Sequence, residues 1–180
     1  SGTPGFELMT RAARAAYRAL RQRWPGAQKL CVLCGPGNNG GDGLVLAGLA
    51  LEQHQQVEVR FIGGQAAAGK LQGEALEAYR QAQARVVVVQ DWDGTLAPDA
   101  DVVVDALLGT GLSGPVRADY VAAIEAINRS GAGVRAIGLR SGLCSDGGRV
   151  MGTAVRADLT VSFIGLKRGL LTHQGVDHCG

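Results

Sequence analysis

Short apolar runs alternate along this chain with longer segments in which apolar residues recur every three or four positions. The runs predict β-strands at residues 29–33, 56–62, 85–90, 101–106, 133–139 and 158–164. The longer segments predict helices at residues 8–24, about 42–53, 73–83 and 119–130.

Several of the predicted strands are unbroken runs of valine and isoleucine, which is typical of parallel strands buried on both faces. Strands that alternate with helices predict βαβ units with right-handed crossovers. The fold class is therefore α/β, a three-layer αβα Rossmann-like sandwich with a mostly parallel sheet. No linker or repeat interrupts the pattern, so residues 1–180 are interpreted as a single domain.

The composition and charge of the chain indicate how its core is packed and disfavour some classes of binding partner. The chain is 46% apolar and only 4% aromatic, which suits a core packed from Ala, Val, Leu and Gly. Its net charge of +2 is too small to indicate a nucleic-acid partner or a charged membrane surface. No apolar run approaches the roughly 20 residues that span a bilayer. No signal peptide is visible at Ser1, and we expect a cytoplasmic protein.

Cys31 and Cys34 have the Cys-x-x-Cys spacing of redox and zinc sites. Both belong to the first predicted strand, where residues three apart point to opposite faces and cannot chelate one ion. His54, His173 and His178 add no metal-binding pattern. The two cysteines are therefore interpreted as buried strand residues.

A glycine-rich loop follows the first strand and leads into a helix, with the sequence Gly35-Pro36-Gly37-Asn38-Asn39-Gly40-Gly41-Asp42-Gly43. Glycine allows a sharp turn and lets backbone N–H groups approach a ligand, while the positive end of the helix favours an anion. This context predicts a phosphate-binding loop, for which a dinucleotide is the expected ligand. The alternative, a surface turn without a ligand, does not account for the asparagines and the aspartate.

The same loop matches G-x-G-x-x-G, but a dehydrogenase also needs an acidic residue at the tip of the second strand to hold the ribose hydroxyls. That strand ends in Ile62-Gly63-Gly64, and Glu58 lies in its middle. An NAD-dependent dehydrogenase is therefore disfavoured.

Polar residues also lie near the carboxyl ends of the fourth and fifth predicted strands. Asp105 precedes a Gly/Thr/Ser loop, and Ser141-Gly142 follow the fifth strand. Because the carboxyl ends of parallel strands meet at one edge, these groups should share a site with the glycine loop. Their oxygens suit a hard cation. Asp105 can bind that cation or act as an acid or base, and the alternative is an aspartate that only caps a turn.

Three runs resemble, in the right order, the NAD(P)H-hydrate epimerase family, that of the YjeF N-terminal domain: CGPGNNGGDGLVLAGLA, VVVDALLGTGLSGPV and SGL…ADLTVSFIGLKRGLL. The amino-terminal PGFELMTRAARAA is similar to the family's first helix. The resemblance implies a metabolite-repair isomerase that interconverts the R and S forms of hydrated NADH and NADPH, with potassium in the site. It further implies a dehydratase, as a partner or as a fused domain beyond Gly180, in a chain cut at both ends relative to the family. It leaves open whether the protein forms a homodimer.

The resemblance also implies roles for individual residues. Potassium would be bound by Asn39, Asp105 and Ser141. The substrate would contact the glycine loop and the later loops at Asn38, Asn39, Gly40, Gly41, Asp42, Gly109, Thr110, Gly111, Leu112, Ser113, Gly114, Pro115 and Gly138.

Position 138 departs from the family's pattern. The family's fifth strand ends in Asp-x-Pro-Ser-Gly, whereas this chain has Gly138-Leu139-Arg140-Ser141-Gly142. The missing aspartate is the expected acid or base, and loss of such a group typically lowers the rate by about 10²–10⁴. Arg140 stays charged and is a poor base.

Three interpretations of Gly138 stay open: inactivation, an error in the sequence at this point, or a divergent enzyme that uses Asp42 or Asp105. The alternative to an active epimerase is therefore a catalytically impaired nucleotide-binding or protein-interaction module of the same fold.

Overall fold

The computed structural model describes residues 4–85, 87, 89–97, 99–107, 118–130, 133–137 and 159–161, the last two ranges by their backbone alone. The elements follow in chain order as α1 (Pro4–Arg23), β1 (Lys29–Cys34), α2 (Asn38–Glu52), β2 (Gln56–Phe61), α3 (Gly64–Ala68), α4 (Gly73–Ala84), β3 (Val89–Asp91), β4 (Val102–Ala106), α5 (Ala118–Arg129), β5 (Gly133–Ile137) and β6 (Leu159–Val161). None of these helices is long and apolar enough to cross a membrane.

The strands form one sheet in the order β3-β2-β1-β4-β5-β6, and every pair of neighbours is parallel. This is the doubly wound order, in which the direction of strand addition reverses between β1 and β4. The prediction of an α/β, Rossmann-like fold with a parallel sheet is confirmed.

Two apolar clusters cover the sheet, and we call the surfaces beneath them the first and the second face. On the first face, α1, α2 and α4 pack over Val32, Cys34, Val59 and other strand residues. On the second face, α5 packs over Leu33 and Val103. The connection from β3 to β4 also crosses the second face, where Leu96 and Ala97 join the cluster. These clusters are the two interfaces of a three-layer sandwich.

Cys31 and Cys34 lie on opposite faces, as the strand pattern predicts. Cys34 packs in the first-face cluster, while Cys31 packs in the second. Both thiols are free and buried, and burial is the main reason that the pKa of each is raised. The pair is therefore part of the core and does not form a shared thiol site.

Some predicted boundaries were wrong. The second helix begins at Asn38 and not near Asp42, so the segment interpreted as loop includes the first turn of α2. Arg85 is the C-cap of α4 and does not begin a strand, and β3 extends to Asp91. An unbroken valine run has no alternation, so it cannot fix where a strand starts. The short helix α3 was not predicted. Residues 138–139 and 162–164, predicted as strand, lie outside the described residues.

Candidate functional site

The carboxyl ends of β1 and β4 lie side by side at the point where the strand order reverses. Leu33 pairs with Asp105, Cys34 pairs with Ala106, and the Gly35 N–H donates to the Ala106 carbonyl at 3.1 Å. From here β1 leads to α2 on the first face, whereas α5, which follows β4 in the chain, packs on the second. Helices on opposite faces leave a crevice between the two strand ends, which is where ligands bind in open parallel sheets.

Close backbone packing at this crevice requires glycine at two positions. A Cβ atom on Gly35 would overlap the Leu107 carbonyl oxygen, and one on Gly40 would overlap the Gly35 carbonyl oxygen. The end of β4, the loop and the first turn of α2 are therefore in direct backbone contact, because no side chain separates them. Asn39 and Asp105 consequently lie on adjoining segments.

The amino terminus of α2 is open to a ligand. Its N-cap, Gly37, is extended, with φ −91° and ψ −172°, and provides no side-chain cap. The first turn contains no acidic residue, and Pro36, Gly37 and Asn38 are exposed. The N–H groups of a first helical turn have no acceptor within the helix, and the helix dipole makes that end positive. A phosphate fits this end without any basic side chain.

Asp42 lies in the second turn of α2 and is half-buried. The pKa of the Cys34 thiol is raised chiefly by burial, next by Cys31, and also by the negative charge of Asp42. A Cβ atom on Gly43, the next residue of α2, would contact Ala106 at the end of β4 and Cys34 at the end of β1, so the backbone of Asp42 lies beside these strand ends. A titratable group at the crevice can exchange protons with a bound molecule.

Asp105 is almost completely buried, with 1% of its surface exposed. Alternation along β4 puts it on the second face with Val103 and Leu107. One carboxylate oxygen, Oδ1, accepts the Leu107 N–H at 3.2 Å, so the predicted turn-capping role is present. Burying a carboxylate is costly without compensating partners, and the Leu107 N–H is one of the partners of Asp105.

Two of the three residues implied for potassium are described, and their chemistry fits that ion. Asn39 offers an amide oxygen from α2, and Asp105 offers a carboxylate from β4. Hard cations prefer oxygen ligands of this kind. The described part of the chain contains no group of three or more His, Cys, Asp or Glu residues arranged for a metal. An oxygen site built from an amide, a carboxylate and a hydroxyl is compatible with that finding.

The other implied site residues lie outside the described residues. These are Gly109, Thr110, Gly111, Leu112, Ser113, Gly114, Pro115, Gly138 and Ser141. Their roles stay predictions. The structure does bring together the two motifs that it describes, since the first turn of α2 and the end of β4 meet at Gly35.

The sequence interpretation missed one polar residue at this edge of the sheet. Asp91 ends β3, and its carboxylate lies beside the turn at Gly63 and Gly64 that follows β2. The predicted strand ended at Gln90, which left Asp91 in a loop. As predicted, no acid stands at the tip of β2, and Glu58 instead pairs with Lys29 and Arg60.

The doubly wound sheet, the crevice at its reversal point and the uncapped helix beside it define a Rossmann-like α/β protein with a candidate ligand-binding crevice. The family described as YjeF-related protein N-terminus matches residues 5–169. The chain belongs to this family.

Two relatives illustrate the range of proteins that contain a similar sequence. The chain is 48% identical, over its whole length, to the bifunctional NAD(P)H-hydrate repair enzyme Nnr of Coxiella burnetii, and it spans 36% of that protein. It is 38% identical over 99% of its length to the NAD(P)H-hydrate epimerase of Limosilactobacillus fermentum, of which it covers 84%.

A solved structure supports the fold. The crystal structure of yeast ynu0 matches 97% of this chain and 74% of its own chain, with a TM-score of 0.77 and 19% identity. At this identity the likeness concerns the arrangement of helices and strands only.

Proposed function

We propose that this chain is an NAD(P)H-hydrate epimerase, which interconverts the R and S forms of hydrated NADH and NADPH. The observation that carries the proposal is the crevice between β1 and β4, where the uncapped end of α2 lies beside the strand end that contains a buried carboxylate, Asp105. A relative that is named NAD(P)H-hydrate epimerase is 38% identical over 99% of the chain.

Binding is assigned to the backbone around the glycine loop. The N–H groups at the start of α2 would hold a phosphate of the dinucleotide, and Asn38 and Asn39 would contact its neighbouring atoms. Gly35, Gly40 and Gly41 let the loop and the first turn of α2 pack directly on neighbouring protein atoms, which fixes the position of these N–H groups. Residues 109–115 would provide further contacts to the substrate.

Epimerisation requires proton transfer to and from oxygen, because the carbon–oxygen bond or the ring must open and close again. The chain has glycine at position 138, so another group must move this proton if turnover occurs. Asp42 and Asp105 are the carboxylates at the crevice that the structure describes. We assign the acid–base role to one of them, with Asp105 as the first choice.

A potassium ion would be held by Asn39, Asp105 and Ser141, and it would supply a positive charge that binds the substrate's oxygens. A dehydratase, on the same or on a separate polypeptide, would consume one of the two epimers.

The direct test is conversion of a single epimer. Purified R or S hydrated NADH is incubated with the chain in potassium or sodium buffer, and the epimer ratio is followed by chromatography. We expect equilibration faster than the spontaneous rate, and faster in potassium. Asp105→Asn should lower the rate by about 10²–10⁴ if this carboxylate moves the proton. Glu125→Gln, on the exposed side of α5, is the control and should have no effect.

The second candidate, a catalytically impaired nucleotide-binding module, is favoured by Gly138. In that case hydrated NADH raises the melting temperature without any turnover, and Gly138→Asp restores activity. Absence of both binding and turnover with either epimer would contradict the epimerase and the impaired module alike. A partner protein retained on the chain after such a result would point to an interaction scaffold.

A further inference from the structure

Asp91 has a fixed position at the same edge of the sheet as the glycine loop. It pairs with Phe61 of β2, and the next N–H, that of Trp92, donates to the Phe61 carbonyl at 3.0 Å. Val89 packs on the first face, and alternation along the strand puts Asp91 on that face too. The first turn of α2 covers the same face, so Asp91 and the proposed phosphate site share one face and one edge.

The carboxylate of Asp91 lies against bare backbone at the tip of β2. Gly63 and Gly64 have positive φ angles of 91° and 57°. A Cβ atom on Gly64 would lie 2.8 Å from Oδ2 and 3.1 Å from Oδ1 of Asp91. Glycine therefore lets both carboxylate oxygens reach the position where a Rossmann fold of the usual kind carries its ribose-binding acid.

The residues beside Asp91 on β2 and β3 do not neutralise its negative charge. Arg60 points to the second face, where it is bonded to Glu58 at 3.0 Å and to Gln90. The described residues at the tips of β2 and β3 include no Lys or Arg. Asp91 is exposed and has no hydrogen bond within the described part of the chain. Asp93, by contrast, accepts the N–H and the hydroxyl of Thr95 at 2.9 and 2.6 Å.

We propose that Asp91 and the turn at Gly63 and Gly64 form the subsite for the adenosine ribose, and that this subsite favours a free 2′-hydroxyl over a 2′-phosphate. The inference rests on the proposed function, since it concerns the far half of the same dinucleotide. Two strand spacings, about 10 Å, separate the tips of β1 and β3. One phosphate–ribose unit and a hydrogen bond can bridge that gap from the start of α2.

The chemistry explains the direction of the preference. An ionised carboxylate only accepts hydrogen bonds, and the vicinal hydroxyls of a ribose can donate two. A 2′-phosphate replaces one of these two donors with a group of like charge, which Asp91 would repel. Hydrated NADH is therefore the preferred substrate over hydrated NADPH.

The test compares the two substrates in matched variants. In the unaltered chain we expect kcat/KM for hydrated NADH to exceed that for hydrated NADPH by about tenfold or more. Asp91→Asn should reduce this ratio towards one, mainly by lowering kcat/KM for hydrated NADH and raising it for hydrated NADPH. Asp93→Asn is the control, because it removes a neighbouring exposed carboxylate that is already bonded to Thr95, and it should leave the ratio unchanged. Thermal unfolding of each variant confirms that it is folded.

Binding of ADP-ribose and of 2′-phospho-ADP-ribose, measured by calorimetry, separates this proposal from the epimerase proposal. If no variant turns over either substrate, the epimerase proposal fails, and the subsite is still supported when Asp91→Asn selectively weakens ADP-ribose binding. A ratio near one in the unaltered chain, an equal effect of Asp91→Asn on both substrates, or no binding of either nucleotide would overturn it.

Discussion

At the scale of single residues, a buried polar chain links α1 to the turn before β2. The Tyr17 hydroxyl donates to Oε1 of Gln55 at 2.6 Å, and Nε2 of Gln55 donates to the Ala27 carbonyl at 2.8 Å. Gln55 is 5% exposed, so it depends on these partners. The Gln55 side chain thus links α1 to the segment that precedes β1.

Tyr17→Phe should lower the free energy of unfolding by about 1–3 kcal/mol, because the Gln55 carbonyl oxygen loses its donor while it stays buried. Urea unfolding measures the change. Tyr79→Phe is the control, since the Tyr79 hydroxyl makes no hydrogen bond within the described residues, and it should change stability little. Equal losses in both variants would show that removal of a hydroxyl group, and not loss of the bond to Gln55, accounts for the effect.

Asp101 gives stability a dependence on pH. Its Oδ2 accepts the N–H groups of Gln28 and Lys29 at 2.8 and 2.9 Å, and these bonds, with that of Lys29 the larger cause, hold the pKa of Asp101 below its ordinary value of 3.8. A carboxyl group whose pKa is lower in the folded chain stabilises the fold above its ordinary pKa. That contribution is lost as the pH falls through the lowered pKa.

Asp101→Asn should therefore be less stable than the unaltered chain at neutral pH, and the difference should shrink on acidification below the ordinary pKa. Thermal unfolding at a series of pH values measures it. A difference that stays constant down to the lowest pH would mean that the charge of Asp101 is not involved.

At the scale of elements, α2 packs so closely that its glycines are part of the interface. A Cβ atom on Gly43 would lie 2.6 Å from the Cβ of Ala106 and 3.0 Å from the Sγ of Cys34, both of which are buried in the sheet. On Gly48 it would meet only the side chain of Arg85, at 3.0 Å from Nη1. An alanine side chain would therefore meet the buried sheet at position 43 but only a movable side chain at position 48.

Gly43→Ala should destabilise the chain by about 1–3 kcal/mol through overpacking against the sheet. Gly48→Ala should be neutral or stabilising by up to about 1 kcal/mol, because alanine is the better helix former and Arg85 can move aside. Denaturant unfolding of the two variants is the measurement. If Gly43→Ala also proved neutral, α2 would have to stand further from the sheet than the structure shows.

At the scale of the whole molecule, binding at the crevice should couple to folding. The proposed site consists of α2 and the ends of β1 and β4, which come together only in the folded chain. A ligand at one hundred times its Kd should add about 2.7 kcal/mol to the free energy of unfolding. We expect hydrated NADH to raise the melting temperature, and to raise it more in potassium than in sodium.

Asp105→Asn should remove the potassium-dependent part of this shift, since it keeps a hydrogen-bond acceptor for Leu107 but loses the negative charge. Melting curves in the two salts, with and without ligand, measure the effect. An unchanged difference between potassium and sodium would contradict the assignment of Asp105 to the cation.

The sequence by itself determined the α/β class, the parallel strands and the glycine loop. Valine-rich runs and helical periodicity depend on local burial, which a linear pattern records. The opposite orientation of Cys31 and Cys34 followed from strand geometry alone. The family resemblance also depended only on the sequence, since it rests on motifs and their order.

Only the tertiary structure decided the strand order, the start of α2 at Asn38 and the position of Asp91 beside Gly64. These features depend on contacts between segments far apart in the chain, and no local pattern encodes them. Glycines in a helix cost stability on their own, so the first turn of α2 forms only because its close packing on Gly35, Met9 and Ala75 offsets that cost. The position of Asp91 likewise depends on a contact between distant segments, because the pairing of β3 with β2 puts it beside Gly64.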